Sequence, residues 1–449
     1  MTTLLNIWQS LRSSLWFVPG VLVLVAVALA IGLIEADTWI DQRVLDTWPR
    51  LFGAGAGGSR GMLVAVASSM ITIAGVVFSI TLVALSLASS QYTSRVLRNF
   101  MKDRTTQTVL GVFVGIFVYC LVVLRTIREG PDLEFVPSLA VLGGVLLAFV
   151  GIGCFIYFIH HVATSIQASH ILARIAAETV GRIDHLFPDD VGREDEYRSG
   201  PDPSCADPRR HWHAAPAPRT GYIQRVEAES LLAIARNQKT VVRMEHHVGD
   251  FIIKGMPLAS ILTTEDSQPP SREAISDVSA AYAINAQRTI DQDAAYGIRQ
   301  IVDVALKAIS PGINDTTTAV MSLDYLTAIL VKLCGRGIES PCRFDEGELR
   351  VITRGATFAS MVELAFEQIR QNAGGNVAVL ARLVEALHTL EGQTRRPNRR
   401  RVLLHQAQAT EEVIGRSIPD SMSREPVEAR VKRLLESFNA GEAARDRPT

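Results

Sequence analysis

The sequence predicts an integral membrane α-helical protein: four transmembrane helices, then a cytoplasmic α+β domain that contains a small β-barrel-like module and a helical bundle. Three observations support this prediction. Most of the long apolar runs in the 449-residue chain lie before residue 160. Residues 219–263 alternate short apolar runs with turn residues, which is typical of strands. After residue 273, apolar residues recur at helical spacing.

These patterns divide the chain into five segments. We predict a four-helix transmembrane domain, a helical extension with a linker, a small β-rich barrel-like module, a helical domain, and a C-terminal helical segment with a disordered tail. The predicted boundaries are 1–160, 161–218, 219–268, 269–392 and 393–449.

Four apolar runs are long enough to cross a bilayer, which takes about 20 residues. They cover residues 15–34, 62–88, 108–124 and 135–159, and none contains a charged side chain. The first run has an alternative interpretation as a signal peptide. Against that alternative, Arg12 is the only basic residue ahead of the run, and three further spans follow.

Lysine and arginine in the short loops predict how the spans are oriented. The predicted loops on one side of the membrane carry seven basic residues, and those on the other side carry five. The richer side has Arg12, Arg95, Arg98, Lys102, Arg104, Arg174 and Arg182. Because the side rich in basic residues faces the cytoplasm, we expect both termini and the soluble part of the chain to be cytoplasmic.

The second apolar run carries a strip of mostly small residues on one helical face, which we call the hydroxyl strip. Its members repeat at spacings of three and four, and five of them bear hydroxyl groups. They are Ala65, Ser68, Thr72, Gly75, Ser79, Leu82, Ser86 and Ser89. Two interpretations stay open. Small residues permit close packing of helices in lipid, and hydroxyl groups can line a narrow pore. The packing interpretation and the pore interpretation hold at once if the helix packs around a symmetry axis.

Basic and apolar residues alternate after this run. Val96, Leu97, Phe100 and Met101 form an apolar patch, which predicts an amphipathic helix at the membrane surface. The basic residues around the patch are Arg95, Arg98, Lys102 and Arg104. We favour anionic lipid headgroups as their partners, with an anion-attracting vestibule as the alternative.

Composition narrows the function classes. The formal net charge of -1 gives no reason to expect nucleic acid as a partner. The five cysteines form no C-x-x-C pair, so neither a disulfide framework nor a zinc site is expected. His211 and His213 lie in the predicted linker, where a metal site is not expected. The sequence shows no P-loop, nucleophile elbow or H-E-x-x-H motif, so we expect no enzyme and no cofactor.

The predicted β-rich module resembles a small barrel of the biotinyl/lipoyl-like type, because Gly249-Asp250 lies between apolar runs and Gly255-x-Pro257 follows. Carrier versions present a lysine on an exposed hairpin. Lys239 and Lys254 lie elsewhere, so we interpret the module as one for packing or docking. Farther along, the five arginines between residues 395 and 401 predict a solvated basic loop, with contact to anionic lipid or to a partner as the alternative.

The stretch Ser310-Pro-Gly-Ile-Asn-Asp-Thr-Thr-Thr-Ala319 separates two predicted helices. Pro311 ends the first helix, and Gly312 is expected to take the positive φ that reverses the chain. Asn314 or Asp315 caps the second helix. A bound anion or a bound cation at this turn are alternatives to a purely structural role.

Two stretches resemble a family of bacterial membrane proteins, domain of unknown function 2254. They are "FSITLVALSLASSQYTSRVLRNFMKDR" and "RTIDQDAAYGIRQIVDVALKAISPGINDTTTAV". The matches to the family's motif fall in two groups. The first group is Arg288, Thr289, Gln292, Asp293, Tyr296 to Gln300 with Arg299 among them, Asp303 and Ala305. The second group is Ser310 to Ala319, which includes Ser310, Pro311, Gly312, Asn314 and Asp315. Thr316 departs from the family, which often has proline there. The resemblance implies a bacterial inner (plasma) membrane protein but no established activity.

Two function classes follow from the sequence. The first is a homo-oligomeric ion channel or transporter with its pore lined by the second span and gated by the cytoplasmic domain. The second is a non-conducting, membrane-anchored sensor, scaffold or regulator that binds an unknown cytoplasmic partner. Membrane lipids are expected partners in both. Spans without charged residues argue against proton- or charge-coupled pumping.

Overall fold

The computed structural model of the protein describes residues 16–39, 55–91, 103–128, 135–187, 210–264, 269–338 and 342–445. The chain divides into two compact units, Met1–His170 and Ile171–Thr449. The amphipathic helix predicted around Arg95, Arg98 and Lys102 lies outside the described residues. The predicted linker between residues 188 and 209 and the last four residues also lie outside them.

The first unit contains four long apolar helices, and each overlaps one predicted span. They are α1 Phe17–Asp37, α2 Ala56–Gln91, α3 Arg104–Thr126 and α4 Ser138–Ser165. α3 contacts the other three helices, and its Phe113 and Tyr119 are fully buried. The Tyr119 hydroxyl donates a hydrogen bond to the Ala140 carbonyl of α4 at 2.7 Å. α3 is therefore the central helix of this unit.

Side chains from neighbouring helices cap the helix ends of the first unit. The Asp37 carboxylate, at the end of α1, accepts hydrogen bonds from the Ser138 and Leu139 N–H groups at the start of α4, both at 3.1 Å. Asp103 caps α3 and lies 2.7 Å from His161 Nε2 near the end of α4. Because caps supply partners for free N–H groups, these contacts also fix how α1, α3 and α4 are staggered.

Glycines on α3 and α4 allow the helices of this unit to approach closely. A Cβ at Gly111 of α3 would lie 2.7 Å from Leu22 Cδ1 and 2.9 Å from Pro19 Cα, both on α1. A Cβ at Gly144 of α4 would lie 2.7 Å from Leu63 Cδ2 on α2. Small residues at such contacts let helix backbones meet in lipid.

We expect Gly111→Ala to destabilise the first unit by about 1–3 kcal/mol, because the added methyl group overpacks the contact between α1 and α3. Gly153→Ala on α4 is the matched control, since a Cβ there meets nothing within 4 Å. Thermal unfolding in mild detergent measures the effect. Equal unfolding temperatures for the two variants would contradict the assigned contact.

Among the described residues, five helices are long and apolar enough to cross a membrane, whereas the sequence predicted four. The additional one is α9 Thr316–Cys334, which belongs to the second unit. The predicted count of four spans is therefore not confirmed by length and composition alone.

α5 Ala168–Leu186 crosses the boundary between the units and lies mostly in the second. The described β-rich part of the second unit comprises eight strands and two short helices. In chain order these are β1 Arg210–Pro216, β2 Gly221–Val226, α6 Ala228–Asn237, β3 Val242–Met244, β4 Phe251–Ile252, β5 Pro257–Thr264, α7 Arg272–Ala280, β6 Tyr282–Asn285, β7 Cys342–Asp345 and β8 Glu348–Ile352. One sheet has the order β1-β5-β3-β8-β7 and the other β4-β2-β6. Both sheets share a core with α6 and α7 that buries Ile223, Val242 and Ile284 completely.

The structure corrects the predicted architecture of this region. In the described residues the strands form two open sheets in place of the predicted barrel-like module. The Gly249-Asp250 turn connects strands of different sheets instead of forming a hairpin, because β3 pairs with β5 and β8 while β4 pairs with β2. The helix predicted from residue 273 ends at Ala280, and β6 follows. His211 and His213 lie on β1 and not in a linker.

The remaining described helices of the second unit pack against one another. They are α8 Ala294–Ala308, α9 Thr316–Cys334, α10 Phe358–Asn372, α11 Val377–Gln393, α12 Pro397–Ser417 and α13 Ser421–Arg445. α9 contacts α8 and α11, and its Leu323, Leu326 and Leu330 are fully buried. Apolar residues at helical spacing, which predicted these helices, form the interior of the bundle.

Candidate functional site

The R-T-x-x-Q-D motif lies at the start of α8, beside the second sheet. Asp293 is the N-cap of α8, and its carboxylate accepts a hydrogen bond from the Tyr296 N–H at 3.0 Å. Arg288 donates to the same carboxylate from Nη2 at 2.6 Å and from Nε at 3.0 Å. The Arg288 guanidinium also lies 5.1 Å from the centroid of the Tyr296 ring. The side chain of Asp293 is only 4% exposed, so this is a buried ion pair.

Burial raises the pKa of the Asp293 carboxyl above its usual range. The charge of Arg288, the hydrogen bonds from Arg288 and Tyr296, and the charge of His247 all act in the opposite direction. The net rise identifies loss of solvation as the dominant influence on this carboxyl. Asp293 therefore depends on its partners to stay charged.

The Gly249-Asp250 turn closes over this ion pair. Gly249 has φ of +98°, and a Cβ there would collide with the Asp293 carboxylate and the Arg288 guanidinium. On the other side, the Gln292 side-chain carbonyl accepts a hydrogen bond from the Val226 N–H of β2 at 2.9 Å. The motif thus joins a turn, a sheet edge and a helix N-terminus.

Two histidines that sequence reasoning passed over complete this arrangement. Asp250 Oδ1 lies 3.2 Å from His247 Nε2, and Asp250 Oδ2 lies 3.5 Å from His246 Nδ1. The Asp250 carboxylate also accepts a hydrogen bond from the His247 N–H at 3.1 Å. Adjacent histidines before a glycine-aspartate turn were the available signal. We call Arg288, Asp293, His246, His247 and Asp250 the motif cluster.

The Y-G-I-R-Q part of the motif packs α8 against its neighbours. A Cβ at Gly297 would collide with Thr179 of α5, so only glycine fits there. Arg299 pairs with Asp303 one turn later at 2.7 Å and donates to Gln368 of α10 at 2.7 Å. The side chain of Asp303 is 8% exposed and that of Arg299 is 25% exposed, so the pair is largely buried.

The turn that follows α8 has the predicted cap. Asp315 is the N-cap of α9, and its carboxylate accepts a hydrogen bond from the Thr318 N–H at 3.0 Å. Ser310 donates from its hydroxyl to the Lys307 carbonyl at 2.6 Å, and exposed Pro311 comes directly after it. These contacts confirm the predicted helix stop and start.

One detail of this turn differs from the prediction. The positive φ belongs to Asn314, at +49°, and not to Gly312. Asparagine adopts this left-handed conformation more readily than most residues, which explains the exchange of roles. Residues 311–315 are exposed on the surface of the second unit.

The two parts of the family motif do not meet in one site. Asp293 precedes α8 and Ser310 follows it, and α8 has 15 residues. At about 1.5 Å per residue, the helix holds them about 22 Å apart. The motif cluster and the exposed turn are therefore separate features of the second unit.

Among the residues that the structure describes, the hydroxyl strip lies on an exposed side of α2. All eight of its residues are exposed, and a Cβ at Gly75 would meet nothing within 4 Å. α2 packs against its neighbours through the residues Leu63, Ala67, Met70, Ala74 and Val77. At about 100° per residue, Ser79 lies about 180° around the helix from Met70. Among the described residues, the strip is therefore not the face through which α2 packs in its own unit.

The predicted basic clusters have different outcomes. Arg104 starts α3 and is exposed, while its three companions lie outside the described residues. The predicted solvated loop is wrong for Arg399, Arg400 and Arg401, which lie on α12. Arg399 is 4% exposed and donates to the Leu333, Cys334 and Arg336 carbonyls at the end of α9. The carbonyl end of a helix favours a cation, so Arg399 has a structural role.

The chain is similar to a family of predicted membrane proteins and to uncharacterised mycobacterial proteins. Residues 12–389 match the family model described as predicted membrane protein (DUF2254). An uncharacterised protein of Mycobacterium bovis and two of Mycobacterium tuberculosis are each 31% identical over 449 residues, with 97% of this chain and 83% of the relative covered. No solved structure matches the chain.

Proposed function

This chain belongs to the predicted membrane protein family DUF2254, and on that premise we propose that it is a homo-oligomeric ion channel whose subunits meet through the hydroxyl strip of α2. In this arrangement the strips surround a shared axis and line a narrow, uncharged pore. The second unit holds the subunits together and gates the pore from the cytoplasm. The membrane is the bacterial inner membrane.

The observation that carries the proposal is the exposure of the whole hydroxyl strip opposite the packed face of α2. In a monomer, these hydroxyl groups would face acyl chains, which offer no hydrogen-bond partners. Some, such as Thr72, bond to the helix itself, here to the Ser68 carbonyl at 2.7 Å. Close contact between copies of α2, or water in a pore, gives the strip as a whole a suitable environment.

We assign α1 to α4 as the four spans and α9 to the soluble bundle. Three features support this assignment. Asp324 of α9 forms an ion pair with Arg382, and Lys332 of α9 lies 2.9 Å from the Asp184 carboxylate. The end of α9 is capped by Arg399. Charged partners on α9 suit a bundle in contact with water better than a bilayer interior.

We expect Ser79→Cys to form disulfide-linked dimers on mild oxidation in native membranes, because equivalent strip residues approach each other around the axis. Val77→Cys is the matched control: Val77 is fully buried inside its own chain, on the packed face. Non-reducing gels measure the product, and the wild-type chain reports on the native thiols. A single-chain mass in mild detergent and no cross-link at Ser79 would refute the oligomer.

Conduction is tested by incorporating the purified full chain into planar bilayers. Reproducible unitary currents are the expected result. Silence at all voltages from an intact oligomer would refute the channel and favour the second candidate.

The second candidate is a membrane-anchored sensor or scaffold that binds a cytoplasmic partner. It is favoured by the position of the R-T-x-x-Q-D and S-P-G-x-N-D elements of the family motif, which both lie in the second unit and not on the spans. The exposed turn at residues 311–315 and the motif cluster would then be the sites that respond to the partner. Binding without conduction would identify this function.

A further inference from the structure

The second unit presents a small apolar projection, which we call the apolar tip, at residues 251–256. Phe251 is 54% exposed, Ile253 is 53% exposed and Met256 is 44% exposed. Ile252 between them is fully buried in the core of the two sheets. The apolar side chains of the tip therefore point outward while the strand itself is anchored from within.

The tip has a well-defined backbone. Gly255 has φ of +88°, and its N–H donates to the Ala217 carbonyl at 2.9 Å. The Ala217 N–H donates back to the Met256 carbonyl at 2.8 Å, and the Lys254 N–H donates to the Thr220 hydroxyl at 3.0 Å. These bonds hold the apolar side chains in the exposed position, so the exposure is a built feature of the turn.

The charge at the tip is positive. Lys254 and Arg219 are both exposed, and neither forms an ion pair with any residue that the structure describes. Asp250, the acidic residue adjacent to Phe251, is already engaged by His246 and His247. Apolar side chains flanked by free cations are the composition that binds at an anionic lipid surface.

We propose that the apolar tip inserts into the headgroup region of the membrane that carries this protein. The six residues of the tip fall far short of the roughly 20–30 residues that one side of a stable protein interface contributes. A lipid surface needs no such area, because the spans of the same chain keep the tip at a high effective concentration near the bilayer. The proposal requires only a membrane-anchored chain and does not depend on a pore.

Methionine oxidation tests the insertion on the native chain. We expect hydrogen peroxide to oxidise Met256 about fivefold more slowly in nanodiscs that contain phosphatidylglycerol than in nanodiscs of phosphatidylcholine alone, because susceptibility follows exposure. Met422, which is 83% exposed in the same unit, is the internal control and is expected to react equally in both. Mass spectrometry of the peptides measures both rates.

Two variants test whether contact of the tip with lipid causes the protection of Met256. Ile253→Ser and Lys254→Gln are each expected to restore fast oxidation of Met256, whereas Phe344→Ser, at a 60% exposed site on β7, is expected to leave it slow. Equal rates in the two lipids would overturn the proposal. Protection that depends on the number of chains per disc and not on the lipid would also overturn it, and would identify a second copy as the occupant.

Discussion

Replacing Arg288 with alanine is expected to destabilise the second unit by about 3 kcal/mol, because it leaves the buried Asp293 carboxylate without its ion-pair partner. The Asp293 side chain is 4% exposed, and Arg288 supplies the ion pair across the start of α8. For a unit of this size, the loss corresponds to a fall of about 10 °C in the unfolding temperature. Thermal unfolding of the full chain in nanodiscs measures it.

The matched control for this change is Arg225→Ala. Arg225 pairs with Glu227 at 3.2 Å, but both side chains are more than 40% exposed. Exposed pairs contribute about 0–1 kcal/mol, so little change is expected. The double variant Arg288→Met with Asp293→Asn is expected to recover much of the stability, because it removes both charges and asparagine still caps α8. If Arg288→Ala lowers the stability no more than Arg225→Ala does, the role assigned to Arg288 as the partner of Asp293 is contradicted.

Much of the fold could be predicted because its signals are local. The four apolar helices of the first unit overlap the four predicted runs, since apolarity over about 20 residues is read directly from the chain. The bundle helices α8 to α11 follow from apolar spacing, and the Asp315 cap follows from a proline and an asparagine-aspartate pair in one short stretch. Each of these depends on neighbouring residues only.

The strand pairing could not be predicted because it joins distant segments. β8 pairs with β3, which lies about a hundred residues earlier in the chain, and Val351 is opposite Val242. β7 and β8 lie within residues 269–392, which the sequence predicted to be a helical domain, and their local pattern gave no sign of this partner. The predicted barrel failed for the same reason, since residues 219–268 alone do not contain all the strands of either sheet.

Small residues in the membrane helices also could not be assigned a packing partner from the sequence alone. The sequence drew attention to the strip on α2, yet close packing within the chain uses Gly111 of α3 and Gly144 of α4. A small residue permits a close approach, but the residues of the opposing helix decide whether one occurs. At the motif cluster, Arg288 and Asp293 came from the family resemblance, whereas the contacts of His246 and His247 with Asp250 required the fold.

The second large effect is expected in the proposed pore. Ser68→Leu is expected to reduce the unitary current roughly tenfold or more, because each subunit adds one leucine to a ring that dewets a narrow, uncharged path. Ser69→Leu is the matched control: it is the same change at the same depth of α2, but about 100° away from the strip. Both serines are exposed in the isolated chain, so neither change disturbs packing within a subunit.

The contrast between these adjacent serines decides where the ions pass. If both variants conduct like the wild type, the path does not run along the hydroxyl strip. If both abolish the current, leucine acts through the folding or assembly of α2 and not through the pore, which the subunit count of each variant then reveals. If Ser68→Leu loses the current and Ser69→Leu retains it, the strip must face the axis, because the two changes match in exposure, depth and chemistry.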